Sequence, residues 1–312
     1  TMERLGIRSI GSGRNISLAR KPAIFERRGV KVGFLAYASV ILPQYWATED
    51  HPGVAPLRVN TYYEPYEFQP GCPARIITIP VEDDVRDMQA DIDKLRGEVD
   101  CVVVSHHWGV HGVPRPLAMY QPTVARAAVE AGADVVLGHH THCLQGMEVM
   151  KQGRRDAVVL YSLGNFAMPT NVHSQHLCAP MAMYSYKDAF YRELEPGHKP
   201  EFFTRFWREG GAAKIEVTRD GVQSVSFLPT RAKSFASGQP RPLLARDRSF
   251  KSIVTYLKWA SEGLRGAPAF KVRGDEIEIC RRSMLYAIKK GTYPAGPLNN
   301  RAIIKAVKEA LK

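Results

Sequence analysis

Histidines with a spacing suited to metal binding occur in two short segments of the chain. Residues 106–109 read HHWG and residues 138–142 read GHHTH, so five of the ten histidines lie within these segments. A neutral imidazole is the commonest metal ligand in proteins, and three nitrogen ligands leave an open coordination position on zinc. The two segments therefore indicate a site for a divalent metal ion.

One histidine of the first segment and two of the second are the expected ligands, namely His107, His140 and His142. Residues two apart in an extended chain point to the same side, so the last two can converge on one ion. His106 and His139 are the less suitable member of each adjacent pair. His111 is expected either to contact a substrate or simply to be exposed. The alternative is that these loop histidines only form hydrogen bonds.

Short apolar runs alternate with helical patterns around the histidine segments. Buried strands are indicated at residues 30–38, 75–80, 101–105, 134–137 and 157–163. Helices are indicated at residues 83–98 and 123–130, the second ending at Gly132. Residues 39–73, rich in Pro, Tyr and Gly, are typical of a long functional loop. This order predicts a layered α/β domain with its ligands at the carboxyl ends of strands.

The last part of the chain differs in charge from the rest. Residues 212–228 contain an Arg-Asp-Gly turn between alternating runs and predict a β-hairpin, after which a domain of residues 1–230 would close. Residues 231–312 hold 18 Lys and Arg against 6 Asp and Glu, which accounts for the net charge of +12. We expect an accessory tail or subdomain there, with helices at residues 252–261, 280–290 and 300–311.

Composition limits the class of protein and its compartment. Five separated cysteines without a Cys-x-x-Cys pair argue against a disulfide framework and slightly favour the cytoplasm. No apolar run approaches the roughly 20 residues that a membrane-spanning helix needs. An extracytoplasmic, membrane-associated location remains an alternative if a preceding segment anchors the chain. The oligomeric state is not determined by these patterns.

Several motifs in order resemble one known family, the CapA-like proteins of poly-gamma-glutamate (capsule) biosynthesis, within the calcineurin-like metallophosphoesterase superfamily. The resemblance covers about residues 6–230. It is carried by residues 11–15 (GSGRN), 19–22 (ARKP), 31–37 (KVGFLAY), 104–109 (VSHHWG), Gln121, 131–142 (AGADVVLGHHTH), Gln145 and 161–166 (YSLGNF).

The resemblance implies a fold, a cofactor and roles for individual residues. The fold would be a layered metallophosphoesterase-like β-sheet sandwich flanked by helices. One or two divalent ions (Mn, Fe or Zn) would act on an anionic substrate, either a phosphoester or a polyglutamate-like polymer. His107, His140 and His142 would bind metal, His107 and Asn165 would be catalytic, and His111, Gln121 and Gly164 would bind the substrate.

Two departures from the family pattern change what we expect of the site. The family's first third normally supplies an early Gly-Asp, an Asn-x-Glu and an Asn-Asn-His, and this sequence begins after the point where they would stand. The position two residues after Trp-Gly is usually acidic, whereas it is His111 here. Because three histidines do not hold two ions well, we expect one ion and little hydrolysis by this segment alone.

A second hypothesis makes the protein a non-catalytic polyanion-binding protein with a vestigial metal half-site. Basic residues of the tail would hold the polyanion, polyglutamate in preference to nucleic acid, and the alternative is an ordinary solvated basic face. These residues are Arg241, Arg246, Arg248, Lys251, Arg281, Arg282, Lys289 and Lys290. A second metal site at His173, His176 and Cys178 is less favoured, because no strand precedes it.

Overall fold

The computed structural model describes residues 2–153, 155–167, 208–233 and 238–281 of the chain. Predicted features at residues 282–312, and the histidines at positions 173 and 176 with Cys178, lie outside these ranges. The strands are β1 (Ser12–Gly13), β2 (Ala23–Arg27), β3 (Val30–Ala38), β4 (Gly53–Val54), β5 (Val59–Pro65), β6 (Ala74–Pro80), β7 (Cys101–Trp108), β8 (Val135–His140), β9 (Met147–Gln152), β10 (Arg155–Leu160), β11 (Glu209–Thr218), β12 (Gly221–Ala232), β13 (Pro240–Pro242), β14 (Ala269–Arg273) and β15 (Glu276–Cys280). The α-helices are α1 (Ile16–Ala19), α2 (Glu82–Arg96), α3 (Tyr120–Ala131) and α4 (Arg248–Ala260).

A six-stranded sheet forms the centre of the fold, in the order β2-β3-β7-β8-β10-β9. The four inner strands run parallel, whereas the outer strands β2 and β9 are antiparallel to their neighbours. The inner strands are rich in Val and Leu because they are buried on both faces. Because β3, β7 and β8 are adjacent and parallel, their carboxyl ends lie side by side.

Helices α2 and α3 cover one face of this sheet. Both helices place apolar side chains at helical spacing, and the stripe of α2 contains Met88, Ile92 and Leu95, each at most 1% exposed. These side chains pack on alternate sheet residues such as Val102 and Val104. The acidic residues in the first turn of α2 complement its dipole, as the sequence predicts.

A second sheet and helix α4 cover the other face. The second sheet has the order β11-β12-β15-β14, and β13 also pairs with β12. Phe227 of β12 and Phe250 of α4 are almost fully buried in a core shared with Val103 and Val135 of the central sheet. The α/β class and the sheet sandwich flanked by helices therefore agree with the sequence-based prediction.

Within the described ranges, the predicted strands and helices lie close to their expected positions, with three differences. The strand predicted as buried at residues 75–80 is β6, which lies outside the central sheet and is largely exposed, with Ile76 and Ile79 42% and 50% exposed. Residues 39–73 contain β5, which pairs with β6 as an antiparallel hairpin that a loop reading does not anticipate. Cys280 ends strand β15 instead of starting a helix, because its strand pairs with β14. The predicted domain boundary at residue 230 falls within β12, and the division of the chain into two domains stays a prediction.

Candidate functional site

The register of the central sheet brings the two histidine segments together. In the parallel pairing of β7 with β8, His107 lies opposite His139 and Trp108 lies opposite His140. Strand β3 ends at Ala38, which lies opposite His107 on the other side of β7. The carboxyl ends of three adjacent strands thus form one edge, the position at which α/β sheets bind ligands.

Four imidazoles gather at this edge and are called the imidazole cluster from here on. The members are His107, His111, His140 and His142. The ring centroids of His107 and His140 are 4.7 Å apart, and those of His111 and His142 are 4.9 Å apart. The centroids of His140 and His142 are 6.3 Å apart. All three predicted ligands are therefore neighbours, and His111 belongs to the same group.

A turn, and not an extended chain, presents the last two of these histidines. Strand β8 ends at His140, whose φ is +92°, and His142 has a φ of +56°. Positive φ values are unusual for residues with a side chain and indicate a local constraint. The buried Thr141 between them donates a hydrogen bond from its hydroxyl to the carbonyl of Cys143, at 2.9 Å. The two imidazoles are neighbours as expected, but the extended backbone assumed in the sequence argument is wrong, because a turn brings them together.

Asn165 orients one imidazole of the cluster. Its Oδ1 lies 2.8 Å from Nδ1 of His142. This contact fixes the His142 ring with Nδ1 toward the carboxamide. Gly164, with φ +66°, precedes Asn165, and an added Cβ there would crowd the backbone of Gly210. The predicted loop beside the site is present at these two residues.

Gln121 lies in the protein interior, whereas the sequence analysis expects it to contact a substrate. Its side chain is fully buried. The amide accepts a hydrogen bond from the backbone N–H of Ala118 and donates one to Gln145, at 2.9 and 3.1 Å. Gln145 in turn donates to the carbonyl of Val113. Through these hydrogen bonds, Gln121 links the segment before α3 to the segment that follows His142.

A stack of buried aromatic rings adjoins the imidazole cluster along β7. His106 is fully buried, stacks on Trp108 at 4.5 Å between ring centroids, and also stacks on Tyr37. Trp108 donates from Nε1 to the carbonyl of Tyr161, at 2.9 Å. The packing role expected for Trp108 agrees with this position. Sequence reasoning missed Tyr120, whose hydroxyl accepts from the N–H of Gly109, because a tyrosine starting a helix carries no special signal.

Burial lowers the pKa values of three histidines at this edge of the sheet, His107, His139 and His140. Burial and the nearby His107, His111 and His142 lower the pKa of His140 from its ordinary value to about 4. Partial burial, followed by the charge of His142, lowers the pKa of His107. Burial also lowers the pKa of His139. A neutral imidazole is the form that binds a metal ion.

The imidazole cluster suits a divalent metal ion in donor type, since imidazole nitrogen is a common metal ligand. Within the four described ranges, however, no three His, Cys, Asp or Glu side chains already stand in the arrangement of a metal-binding group. The imidazoles would therefore have to reorient to surround one ion. Asn165 would limit that reorientation at His142, since it holds Nδ1.

Comparison with known families supports the motif resemblance. Residues 1–170, more than half of the chain, match the family model described as bacterial capsule synthesis protein PGA_cap. The match includes the imidazole cluster and Asn165.

Curated relatives match about half of this chain. They include a capsule biosynthesis protein CapA of Bacillus anthracis, 30% identical over 157 residues, and a PGA biosynthesis protein CapA of Bacillus subtilis, 31% identical over 158 residues. The matches cover 50% of this chain and 32% and 33% of those proteins. A probable polyglutamine synthesis accessory protein of Mycobacterium tuberculosis is 29% identical, over 51% of this chain and 37% of its own length. The chain thus spans about a third of the length of these relatives.

Among solved structures, a hypothetical protein from Thermus thermophilus matches 71% of this chain and 60% of its own. The identity is 16% and the TM-score is 0.25, which supports no conclusion about the fold. Among the helices of the described ranges, none combines the length and apolar character needed to cross a membrane.

Proposed function

This chain belongs to the family of bacterial capsule synthesis proteins described as PGA_cap, and on that premise we propose that it carries a metal-dependent, phosphoesterase-type hydrolase site at the imidazole cluster. Its substrate would be an anion met during synthesis of a capsule or polyglutamate-like polymer. We assign His107, His140 and His142 as metal ligands. We assign no compartment beyond the slight preference for the cytoplasm that the cysteines indicate.

The observation that carries this proposal is the meeting of neutral imidazoles at the carboxyl ends of β7 and β8. His107 and His140 have lowered pKa values, and their rings are 4.7 Å apart. A bound divalent ion would supply Lewis acidity and a water of lowered pKa at this edge. Asn165 would keep His142 in the tautomer that directs Nε2 outward.

Metal content per chain tests the proposal directly. The purified protein would be dialysed against a weak chelator, loaded with Mn, Fe or Zn in turn, and analysed for bound metal beside His140→Ala. We expect about one ion per chain, lost in the variant, because three imidazoles suffice for one ion. His51→Ala is the matched control, since His51 is exposed and lies outside the imidazole cluster. Equal metal content in wild type and His140→Ala would reject the site.

Hydrolysis separates a working site from a metal-binding one. A chromogenic phosphodiester would be supplied to the metal-loaded protein, with and without chelator. Turnover that depends on metal and disappears in His107→Ala supports the hydrolase, because both proposed roles of His107 are then lost. Turnover that is equal in His107→Ala would assign the activity to another site or to a contaminant.

A non-catalytic role is the second candidate function. It is favoured by one observation, that no ready ligand set exists within the described part of the chain. Against it, two cations of the basic tail already form ion pairs, Arg241 with Asp247 and Arg281 with Asp156, so a polyanion would have to compete with these carboxylates. Absence of metal under all loading conditions, together with salt-sensitive retention of a polyanion, would select this candidate.

A further inference from the structure

Strands β5 and β6 form a two-stranded hairpin that is separate from both larger sheets, and residues 59–80 are called the aromatic hairpin here. Its large side chains are unusually exposed to solvent. Tyr63 and Tyr66 are each 71% exposed, and Phe68 near the tip is fully exposed. The other exposed apolar side chains are Tyr62, Ile76 and Ile79. An isolated two-stranded hairpin is marginally stable in water, so contact with a further surface would stabilise this one.

The apolar side chains lie on both faces of the aromatic hairpin. In its register Tyr63 pairs with Ile76, and Tyr62 pairs with Ile77. Because successive residues of a strand point to opposite faces, these two pairs lie on opposite faces. A surface that covered only one face would leave the other face in water. Pairing at an edge extends both faces at once and therefore suits this distribution better.

The free edge of the aromatic hairpin is on β5. Within the described ranges, β5 pairs with β6 alone. Strand β6 instead lies against α3, where the hydroxyl of Thr78 accepts a hydrogen bond from the N–H of Tyr120, at 3.2 Å. An unpaired edge strand presents backbone N–H and C=O groups that can pair with another strand.

Cations protect the edges of the two larger sheets but are absent from β5. The edge strands β2, β9, β11 and β14 each contain at least one Lys or Arg, and charged side chains discourage pairing between edges. Strand β5 contains neither residue type. Its one charged residue, Glu64, forms an ion pair with Arg75 of β6, at 3.5 Å. Among these edges, β5 is therefore the one best suited to pairing.

The sequence of β5 is compatible with antiparallel pairing to a second copy of itself. In a two-fold symmetric pair, the residue on the axis lies opposite itself. Tyr62 is the middle residue of Val59–Pro65, so an axis there pairs all seven residues of the strand. Thr61 then lies opposite Tyr63, and Asn60 lies opposite Glu64. Like charges directly opposite each other are destabilising, and this register avoids them.

The exposed aromatic area is close to what a stable dimer buries. The exposed fractions of the four aromatic side chains amount to about three whole side chains. At roughly 150–250 Å² for each side chain, they represent about 450–750 Å² per copy. A stable interface buries about 800 Å² on each partner. Antiparallel pairing also brings the tip of each hairpin, with Tyr66 and Phe68, to the base of the other hairpin, where the body of the second copy can cover these rings.

We propose that the aromatic hairpin is a self-association surface, through which two copies of this chain pair their β5 strands into one four-stranded sheet. The hairpin begins two residues after Leu57, whose backbone N–H donates to the carbonyl of Ala38, at 2.9 Å. Ala38 lies opposite His107 at the end of β3. The hairpin is therefore attached at the edge of the sheet that carries the imidazole cluster. The dimer requires neither a metal ion nor hydrolysis.

Sedimentation velocity of the full chain over a range of concentrations tests the proposal. We expect a concentration-dependent dimer for the wild type. The dissociation constant should be higher by roughly tenfold or more for Tyr62→Glu/Tyr63→Glu, because carboxylates then face one another across the axis. The matched control is Tyr45→Glu/Val272→Glu, which makes the same charge change at two half-exposed residues outside the hairpin and should dimerise as the wild type does. Circular dichroism verifies that both variants are folded.

Cysteine cross-linking tests the register of the two strands. Cβ atoms directly opposite each other in an antiparallel pair are about 4.5–5.5 Å apart, so a disulfide can form with a small adjustment. Tyr62→Cys should therefore cross-link two copies under mild oxidation. In Asn60→Cys the two new thiols would be separated by four residues along the strands, roughly 13 Å, and should not cross-link. The wild type, with its own five cysteines, is treated in parallel.

The contrary outcomes would each overturn the proposal. A monomer at every concentration would do so, and flotation of the wild type with phospholipid vesicles would then assign the hairpin to a membrane surface. Equal dissociation constants for the wild type and Tyr62→Glu/Tyr63→Glu, or an equal loss in both double variants, would show that this hairpin does not govern association. Equal cross-linking of Tyr62→Cys and Asn60→Cys would reject the pairing of β5 with itself. His140→Ala should dimerise as the wild type does, so failure of the metal site and failure of the dimer are separate results.

Discussion

At the scale of single residues, the site depends on the protonation and orientation of its imidazoles. His107 and His140 have lowered pKa values because they are partly withdrawn from water and lie close to other histidines. His142 is instead oriented by its hydrogen bond to Asn165. Burial thus lowers the pKa values of His107 and His140, and a single amide positions the ring of His142 through its Nδ1.

Removing the amide should weaken metal binding without unfolding the protein. In Asn165→Ala, Nδ1 of His142 loses its acceptor, and the ring is free to change tautomer and orientation. We expect the metal dissociation constant to rise roughly tenfold or more, the usual effect of losing such an outer hydrogen bond. Competition with a chromogenic chelator measures it. Asn60→Ala, an exposed asparagine of β5, is the control, and an unchanged constant in Asn165→Ala would contradict the role.

The lowered pKa values predict that the metal-free protein loses stability on acidification. Because His140 has a folded pKa of about 4, the unfolded chain binds more protons between that value and the ordinary histidine pKa. The free energy of unfolding should therefore fall as pH decreases through this window and be unaffected by His140 above it. We expect a loss on the order of 1 kcal/mol from His140, after allowance for solvent screening.

Urea denaturation at a series of pH values, in the presence of chelator, measures this loss. His140→Ala should show a smaller decrease than the wild type, because one group with a lowered pKa is gone. His51→Ala should behave as the wild type does. An identical pH dependence in His140→Ala and the wild type would show that the pKa of His140 is not lowered in the folded protein.

At the scale of elements, the close approach of β8 to its neighbours places the histidines. Gly138 is the first residue of the second histidine segment. A Cβ there would overlap the backbone oxygen of Tyr161 and the indole nitrogen of Trp108. The hydrogen bond between those two groups occupies the space. The glycine thus allows the end of β8 to pack directly against β7 and the chain after β10.

Gly138→Ala should strongly destabilise the protein. The added methyl has no space, so either the Trp108 hydrogen bond breaks or the strands separate. We expect a loss of about 3 kcal/mol in the free energy of unfolding, at the upper end of overpacking effects. Gly97→Ala is the control, because its φ is −70° and the nearest atom to a new Cβ lies 3.5 Å away. Similar melting temperatures for the two variants would contradict this account.

At the scale of the whole molecule, the central sheet is stabilised from both faces. Helices α2 and α3 bury one face, and β12, β15 and α4 bury the other. Phe250 of α4 is 1% exposed in the second core, together with Val103 of the central sheet. Residues beyond position 230 therefore contribute to the core on which the site rests, whatever else the basic tail does.

Phe250→Ala should lower the stability of the entire described fold. Deleting a buried phenylalanine side chain costs about 3–5 kcal/mol, because apolar contacts are lost and a cavity remains. Val272→Ala on β14, where the valine is 50% exposed, should change stability little. Urea unfolding followed by far-UV circular dichroism and by tryptophan fluorescence should give coincident transitions. Two separate transitions would instead support an independent domain after residue 230.

Local patterns in the sequence determined much of this fold. Val-rich runs predicted the parallel strands, apolar spacing predicted α2, and the strand-end histidines predicted that His107, His140 and His142 would lie close together. The strand and helix predictions succeeded because a parallel strand buried on both faces is a continuous apolar run, and a helix buried on one face has apolar residues at helical spacing. The Arg-Asp-Gly sequence also predicted the turn between β11 and β12, because the conformation of a turn depends on the residues within it.

Only the tertiary structure decided the remaining features, and all of them depend on contacts distant in sequence. The pairing of β5 with β6, the burial of Gln121 against Gln145, and the entry of His111 into the imidazole cluster cannot be read from local periodicity. Residue type determines which groups are buried, whereas the packing of distant segments determines which groups meet.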